Sequence, residues 1–473
     1  MPSSTPSVPS ATDAARAAAP VLAALPPGER GALLRALAGV LHDHTDDLVA
    51  LADEETHLGE TRLYGEVLRT RVQLQMFAEI AEEGSALDVM IDPADADAVL
   101  ASRPDVRRML VPLGPVAVFT ASNFPFAFSV LGGDTASALA AGCPVVVKAH
   151  EGHPRLTDLT VDLAAEVLPP GALTVVHGRE AGQALVTDPV IQAVGFTGST
   201  AGGRALFDLA AGRPDPVPFY GELGSLNPVV VTPAALAARG PELVEGFTGS
   251  VTRSQGQLCT KPGLLFLPEG HGLDAPLARA FGAAGAGPLL GPWIADAYTA
   301  TLAELAAHPA VHAVTPGAAG PDPAPALLTV TAHDLRAHPE LLRECFGPAS
   351  VLVTYASADD LLATLRTLPG TLTAAVHGVE GEPADVETAR GVWSVLRAGR
   401  LIWNEWPTGV AVTRAMHHGG PWPATTSPLH TSVGATAVAR WQRPVAYQNL
   451  PDALLPEPLR DANPWGVPQR TGR

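Results

Sequence analysis

The sequence predicts an α/β fold in which a parallel sheet is wrapped by helices on both faces. Three observations point there. From about residue 115, short apolar runs of strand character alternate with helical segments, the pattern of crossover units in a parallel sheet. Runs such as "VAVF" and "PVVVKA" are apolar throughout, as strands buried on both faces must be. The 473 residues are 47% hydrophobic and only 16% charged, the composition of an ordered chain with enough core for two or three domains.

The elements follow in order. Residues 1 to about 10 are rich in Pro and Ser and predict a loose start. Amphipathic helices then succeed one another on either side of "PPGE", with Leu33, Leu34, Leu37, Val40 and Leu41 at helical spacing, and a further helix is expected over 60–83. "RRMLVPL" reads as extended, a Gly-Pro turn follows, and "VAVF" reads as a buried strand. Helix "GGDTASALAAG", strand "PVVVKA", a helix over about 155–167, strand "LTVVHG", helix "AGQALVT", strand "AVGFTGS" and helix "GGRALFDLA" complete a first unit. "NPVVVT" and "GLLFL" open a second α/β segment over about 227–410, in which "GAAGPDPAPA" is a surface loop. The stretch "TSVGATAVARWQRPVAYQNLP" has strand character with exposed Tyr and Trp, which suits a strand added to a neighbouring sheet or subunit.

Charge and cysteine usage exclude several classes. A net charge of −18 without a basic stripe argues against nucleic acid, which needs clustered cations to displace counterions. The N-terminus lacks the apolar core of a signal peptide, and no apolar run reaches membrane-helix length, so a cytoplasmic protein with no membrane partner is expected. Cys143, Cys259 and Cys345 are an odd number at long spacings, which provides neither a disulfide framework nor a zinc site. No metal is expected, and His417 and His418 have no ligand partner at suitable spacing. Of the 30 basic residues only Lys148 and Lys261 are lysines, which points either to places where a compact ammonium is preferred to the planar guanidinium fork or to chance survival in an Arg-rich chain.

Several segments carry chemistry-bearing residues. Gly198, Ser199 and Gly203 stand where "AVGFTGSTAGGRAL" turns from strand to helix, so backbone N–H groups there can face an anion, although the same glycines also suit a plain tight turn. Lys148 ends a strand and Glu151 follows three residues later, a pair able to hold ribose hydroxyls or simply to form a solvated ion pair. Glu222 in "FYGELGSLNP" and Glu344 in "RECFGP" lie among Gly and apolar residues, where burial raises a carboxyl toward the range of a general base. Asn123 in "TASNFPFAF" is either a turn residue or an amide donor to an oxyanion. Cys259 in "GQLCTKPG" is either a small core hydrophobe or a nucleophile toward a carbonyl carbon, with Gly256 allowing close backbone approach to a substrate.

The ordered set Asn123, Lys148, "FTGST", "GELG", "GQLC" and "ECFGP" resembles the NAD(P)-dependent aldehyde dehydrogenase superfamily over roughly residues 25 to 450. The longer strings "GGRALFDLAAGRPDPVPFYGELGSLNPVVV" and "GPWPATTSPLHTSVGATAVARWQRPVAYQNLPDALLP" look like its α-ketoglutaric semialdehyde (2,5-dioxopentanoate) dehydrogenase branch, with NADP-linked fatty aldehyde dehydrogenases nearby. The common motif has Trp before the Asn; Ser122 stands there in this chain. The resemblance implies an aldehyde dehydrogenase-like fold. It comprises a Rossmann-type cofactor domain (1–98 and 115–225), an α/β catalytic domain (226–415), bridging or oligomerisation β-segments (99–114 and 425–450) and a tail (451–473).

It also implies roles. Cys259 is the nucleophile, forming a thiohemiacetal and then a thioester, Asn123 and the Cys259 N–H hold the oxyanion, and Glu222 activates water. Glu344 and Phe346 serve the nicotinamide ribose and ring, Lys148 and Glu151 the adenosine ribose, Gly198, Ser199 and Gly203 the pyrophosphate, and Arg179 a 2′-phosphate. NAD or NADP serves as cofactor. The substrate is a small aldehyde, with 2,5-dioxopentanoate as the first expectation and a medium- or long-chain aldehyde as the alternative; Arg253 and Arg414, close to pocket-forming segments, are either partners for a remote carboxylate or surface or structural residues, and Phe124 is a further substrate candidate. A homodimer or homotetramer is expected. A thiol acyl hydrolase without redox chemistry would use Cys259 and Glu222 but have no need of Lys148, Ser199 and Glu344.

Overall fold

The computed structural model describes residues 6–99, 101–318, 320 and 322–472. The first helix, Val8–Ala23, begins inside the stretch expected to be loose: the Ser7 hydroxyl accepts the Ser10 N–H, and Pro9 sits in the first turn, where its missing N–H costs nothing. Residues 1–5 of that stretch lie outside the described residues. Pro27–Asp43 and Glu60–Glu83 pack along each other, with Thr45–Thr56 between them in sequence. The bounds expected for the fourth helix match, since Gly59 and a left-handed Gly84 stand at its ends.

Five parallel strands form the first sheet, in the order Leu173–Val176, Val145–Lys148, Val116–Phe119, Ala193–Thr197, Phe219–Glu222. The chain runs outward from the central strand to one edge, then crosses back to build the other side. The strand order therefore reverses between Val116–Phe119 and Ala193–Thr197, and at such a switch point the carboxyl ends open a crevice for a ligand. Phe219–Glu222, not anticipated as a strand, supplies the edge and ends on Glu222.

The second sheet has seven strands, in the order His312–Thr315, Ala326–Thr331, Ala349–Tyr355, Leu264–Pro268, Pro228–Val231, Thr371–His377, Ala398–Trp403. Its pairs are parallel except the first. Of the expected loop "GAAGPDPAPA", residues 319 and 321 lie outside the described residues, Ala318 and Ala324 form an isolated bridge, and Ala326 already begins a strand.

A third sheet joins distant parts of the chain: Gln442–Gln448, Val106–Pro112, Val89–Asp92 and Gln469–Thr471. Strand character in the 431–451 stretch is thus confined to its second half, because Ala435–Trp441 is a 3-10 helix. Trp441 is fully buried rather than exposed, and its indole N–H donates to the Ser137 hydroxyl at 2.8 Å. Among the described residues no helix is long and apolar enough to cross a membrane.

Candidate active site

Glu222 sits at the carboxyl end of its edge strand, where Leu223 N–H donates to Ala424 O at 2.8 Å and Glu222 bridges Thr425. That pairing lays the 418–432 segment beside the strand. His418 N–H donates to Thr431 Oγ1 at 2.7 Å and Ser432 N–H to His418 O at 3.0 Å, so one short backbone clasp presents both side chains to the carboxylate. The Ser432 hydroxyl donates to Glu222 Oε2 at 2.6 Å, and His418 Nε2 lies 2.6 Å from Oε1.

Cys259 arrives from the other sheet. The helix Pro233–Thr252 ends in a turn whose Ser254, Gln255 and Gly256 all have positive φ (51°, 53° and 64°). A Cβ at Gly256 would stand 2.1 Å from Gly347 O, so glycine there permits close approach of the chain to itself, not of backbone to substrate as the sequence suggested. Buried Asn227 clamps the far side of the loop, its amide donating to Cys259 O at 2.7 Å and Lys261 O at 2.9 Å. The Cys259 sulfur ends 3.5 Å from His418 Nε2, and Glu222, Cys259 and His418 place their polar atoms within 4.8 Å of one another. His418 therefore has close partners after all, drawn from far along the chain where local spacing cannot reveal them.

The electrostatics divide the labour. Burial pushes the Cys259 thiol well above its ordinary range, and the charges of Glu222 and Glu344 add to this against the opposing Arg69. Burial also pushes Glu222 up, but His418, the Ser432 hydroxyl and the Cys259 thiol outweigh it and leave the carboxyl below its ordinary value. A protonated thiol thus faces an ionised carboxylate, the pairing in which a base can activate a nucleophile.

Asn123, half-buried on the loop after the strand Val116–Phe119, donates from Nδ2 to Gln257 O at 2.9 Å, two residues before Cys259. Phe124 lies under two guanidinium groups, Arg62 at 5.1 Å and Arg69 at 6.0 Å from its centroid. Arg253 is exposed. Arg414, expected as a carboxylate receptor, is instead committed to a surface ion pair with Glu83, which accepts from both its terminal nitrogens.

The crevice at the switch point fits a dinucleotide. Lys148 ends the neighbouring strand and bonds to Glu151. Ser199 caps the helix Thr200–Ala211 through Gly202 N–H at 3.2 Å, and no acidic residue occupies that helix's first turn to compete with an anion. Gly198 is exposed, whereas Gly203 is buried against Phe196 and Leu223, so its lack of a side chain serves packing. Arg179 is exposed at the start of the helix Arg179–Thr187.

Glu344 is half-buried; burial raises its carboxyl to about 7 against the pull of Lys261 and the Ser225 N–H. A Cβ at Gly224 would lie 2.3 Å from its Oε2. Phe346 is also half-buried and packs on the core of the second sheet. Lys261, one of the two lysines, is buried and donates to the carbonyls of Cys345, at 2.9 Å, and Ala349, which ties the Glu344 loop to the Cys259 loop.

This chain belongs to the aldehyde dehydrogenase family, whose model matches residues 2–424. It is accordingly an NAD(P)-dependent enzyme that oxidises aldehydes to carboxylic acids. Among curated proteins it is 45% identical to alpha-ketoglutaric semialdehyde dehydrogenase 2 of Azospirillum brasilense, over 97% of this chain and 90% of that one. It is 39% identical to alpha-ketoglutaric semialdehyde dehydrogenase of Acinetobacter baylyi, over 89% and 82% of the two chains. Its fold is that of aldehyde dehydrogenase 21 from Physcomitrella patens, solved in complex with the reaction product succinate, with TM-score 0.79 and 21% identity over 93% of this chain and 90% of that chain.

Proposed function

We propose that the enzyme oxidises α-ketoglutaric semialdehyde to 2-oxoglutarate, with Cys259 as nucleophile, Glu222 as base and Asn123 as an oxyanion donor. The convergence of Glu222, Cys259 and His418 within 4.8 Å carries the mechanism, and the two semialdehyde dehydrogenases at 45% and 39% identity support the substrate.

Because the resting thiol is protonated, Glu222 accepts its proton as the sulfur attacks the aldehyde carbon. The Asn123 amide and the Cys259 N–H stabilise the oxyanion of the thiohemiacetal, a contribution for which loss of one donor costs on the order of 100- to 1000-fold in rate. Lys148 and Glu151, Ser199 with the helix it caps, and Glu344 with Phe346 would hold the dinucleotide. When bound, its nicotinamide supplies the hydride acceptor for the oxidation. Glu222, having passed its proton to solvent, then takes one from water as the water attacks the Cys259 thioester. The carbon–sulfur bond breaks, the thiolate is reprotonated and the acid leaves.

Glu151 favours a free 2′-hydroxyl and Arg179 favours a 2′-phosphate, so we assign use of both NAD and NADP. The free edge of Gln442–Gln448 suits strand addition in a homodimer or homotetramer. The test is a screen of aldehydes of differing length and charge with both cofactors, followed by absorbance of the reduced cofactor. Preference for α-ketoglutaric semialdehyde and its loss in Cys259→Ser are expected. Neutral long-chain aldehydes turned over 100-fold faster would replace the substrate, and full activity in Cys259→Ser would replace the mechanism.

A further inference from the structure

On the helix Glu60–Glu83, Arg62, Glu66 and Arg69 recur at spacings of four and three and so share one face. Glu66 is buried, and its Oε1 is engaged by the N–H groups of Phe126 at 2.8 Å and Ala127 at 3.0 Å. It approaches Arg62 only at 3.7 Å, and burial pushes its carboxyl toward the neutral form. Two cations therefore stand beside one carboxyl, whose Oε1 is taken by backbone and whose buried Oε2 makes no hydrogen bond to either of them among the described residues.

Neither guanidinium is used up. Arg62 donates to Asn123 O from Nη2 and Arg69 to Val410 O from Nη1. Arg62 Nη1 and Arg69 Nε and Nη2 are buried without an acceptor among the described residues. Buried Arg30 differs: it distributes both terminal nitrogens over five backbone carbonyls, and only its Nε lacks an acceptor among the described residues. Buried guanidinium N–H groups without acceptors are costly, and the costs are relieved by an anion that pairs with several at once.

Their position relates them to the reaction. Both lie within 6.0 Å of the Phe124 centroid, and Arg69 also lies 5.8 Å from the centroid of Phe128, whose ring is 6.2 Å from that of His418. Arg62 holds the carbonyl of Asn123, the residue whose amide reaches the Cys259 loop. The charge of Arg69 acts on Cys259 itself.

We propose that Arg62 and Arg69 form the receptor for the carboxylate at the far end of the substrate, with the Phe124 ring between them and the Asn123 loop. Aldehydes that end in a carboxylate are thereby selected over neutral ones of equal length. This rests on the semialdehyde reading above and replaces Arg414 in it.

The test compares α-ketoglutaric semialdehyde with pentanal, a neutral aldehyde of the same carbon count, in the full-length enzyme and in Arg62→Met, Arg69→Met and Arg69→Lys. The wild-type preference, as a ratio of kcat/KM, is expected to fall on the order of 10- to 100-fold in each Met variant, mainly through KM for the acid. Arg69→Lys should recover part of it, since the charge remains while the fork is lost. Equal losses with both aldehydes, or an unchanged ratio, would overturn the assignment, because a purely structural arginine moves both rates together. A wild-type enzyme that does not favour the acid overturns the substrate reading as well, which separates the two failures.

Discussion

His418 Nε2 lies 2.6 Å from Glu222 Oε1, and both residues are buried, at 2% and 4% exposure. The pair couples the two sheets at the point of chemistry, since the same ring nitrogen is 3.5 Å from the Cys259 sulfur. An isolated carboxylate so deeply buried would take up a proton and lose its basicity; His418 and Ser432 prevent this. His418 is thus a positioning residue in the proposed mechanism, acting through Glu222.

Replacing His418 by Asn has a defined sign. Glu222 lies below its ordinary value chiefly because His418 offsets burial, so the variant carboxyl rises. As pH falls, its ionised form is then lost at a higher pH. The acidic limb of kcat should move to higher pH, and kcat at pH 7 should fall on the order of 10-fold, the scale of one lost bond to a charged group. The stability linked to the depressed carboxyl, present above the unfolded value and lost as pH falls through the folded one, should shrink as well. A pH–rate profile identical to wild type would remove His418 from the mechanism.

Glu222→Gln separates the two half-reactions. The amide accepts no proton from water, so thioester hydrolysis should slow on the order of 100- to 10,000-fold. Acylation loses its base as well, but there the thiol proton passes to solvent base, so rapid mixing should show a burst of reduced cofactor near one equivalent per site, slower than in wild type, and mass spectrometry should find the acyl group on Cys259. Unchanged steady-state turnover would contradict the role of Glu222.

What was legible in the sequence divides along physical lines. Fully buried strands such as Val145–Lys148 and the long helix Glu60–Glu83 follow from apolar runs and end signals, which are local. Glu222, Cys259 and Asn123 stand in strings that a family resemblance exposes. His418, Ser432 and Asn227 were missed because their significance lies in contacts 159, 210 and 32 positions away. Strands Val89–Asp92 and Gln469–Thr471 are short and exist by pairing with distant chain, a tertiary effect that outweighs local propensity. Arg62 and Arg69 look like ordinary charges on a helix, and only their burial distinguishes them from the surface pair of Arg414.

Lys261→Met should destabilise the fold without touching the nucleophile. The carbonyls of Cys345 and Ala349 would lose their donor at about 1–3 kcal/mol each, partly offset by no longer burying an ammonium. A net loss of roughly 2 kcal/mol lowers the melting midpoint by about 2 °C in a chain of 473 residues. A midpoint equal to wild type would show that the remaining links, Ser350 Oγ to Pro262 O and Val351 N–H to Gly263 O among them, hold the two loops together without the lysine.

The same lysine sets a pH dependence at the proposed ribose contact. Burial raises Glu344 to about 7, and Lys261 works against that rise. A raised carboxyl is protonated more readily in the folded protein than in the unfolded chain, so the stability of the cofactor-free enzyme declines as pH rises from the ordinary carboxyl value toward 7. Cofactor binding runs the other way, because ribose hydroxyls donate best to the ionised form. Between pH 6 and pH 8 the ionised fraction grows roughly tenfold for a group near 7, and the Kd of NAD or NADP, measured by calorimetry without aldehyde, should fall by a similar factor. In Lys261→Met the carboxyl rises further and the transition moves to higher pH. In Glu344→Gln it disappears. A Kd that is flat across this range in wild type would mean that Glu344 does not meet the cofactor as a carboxylate.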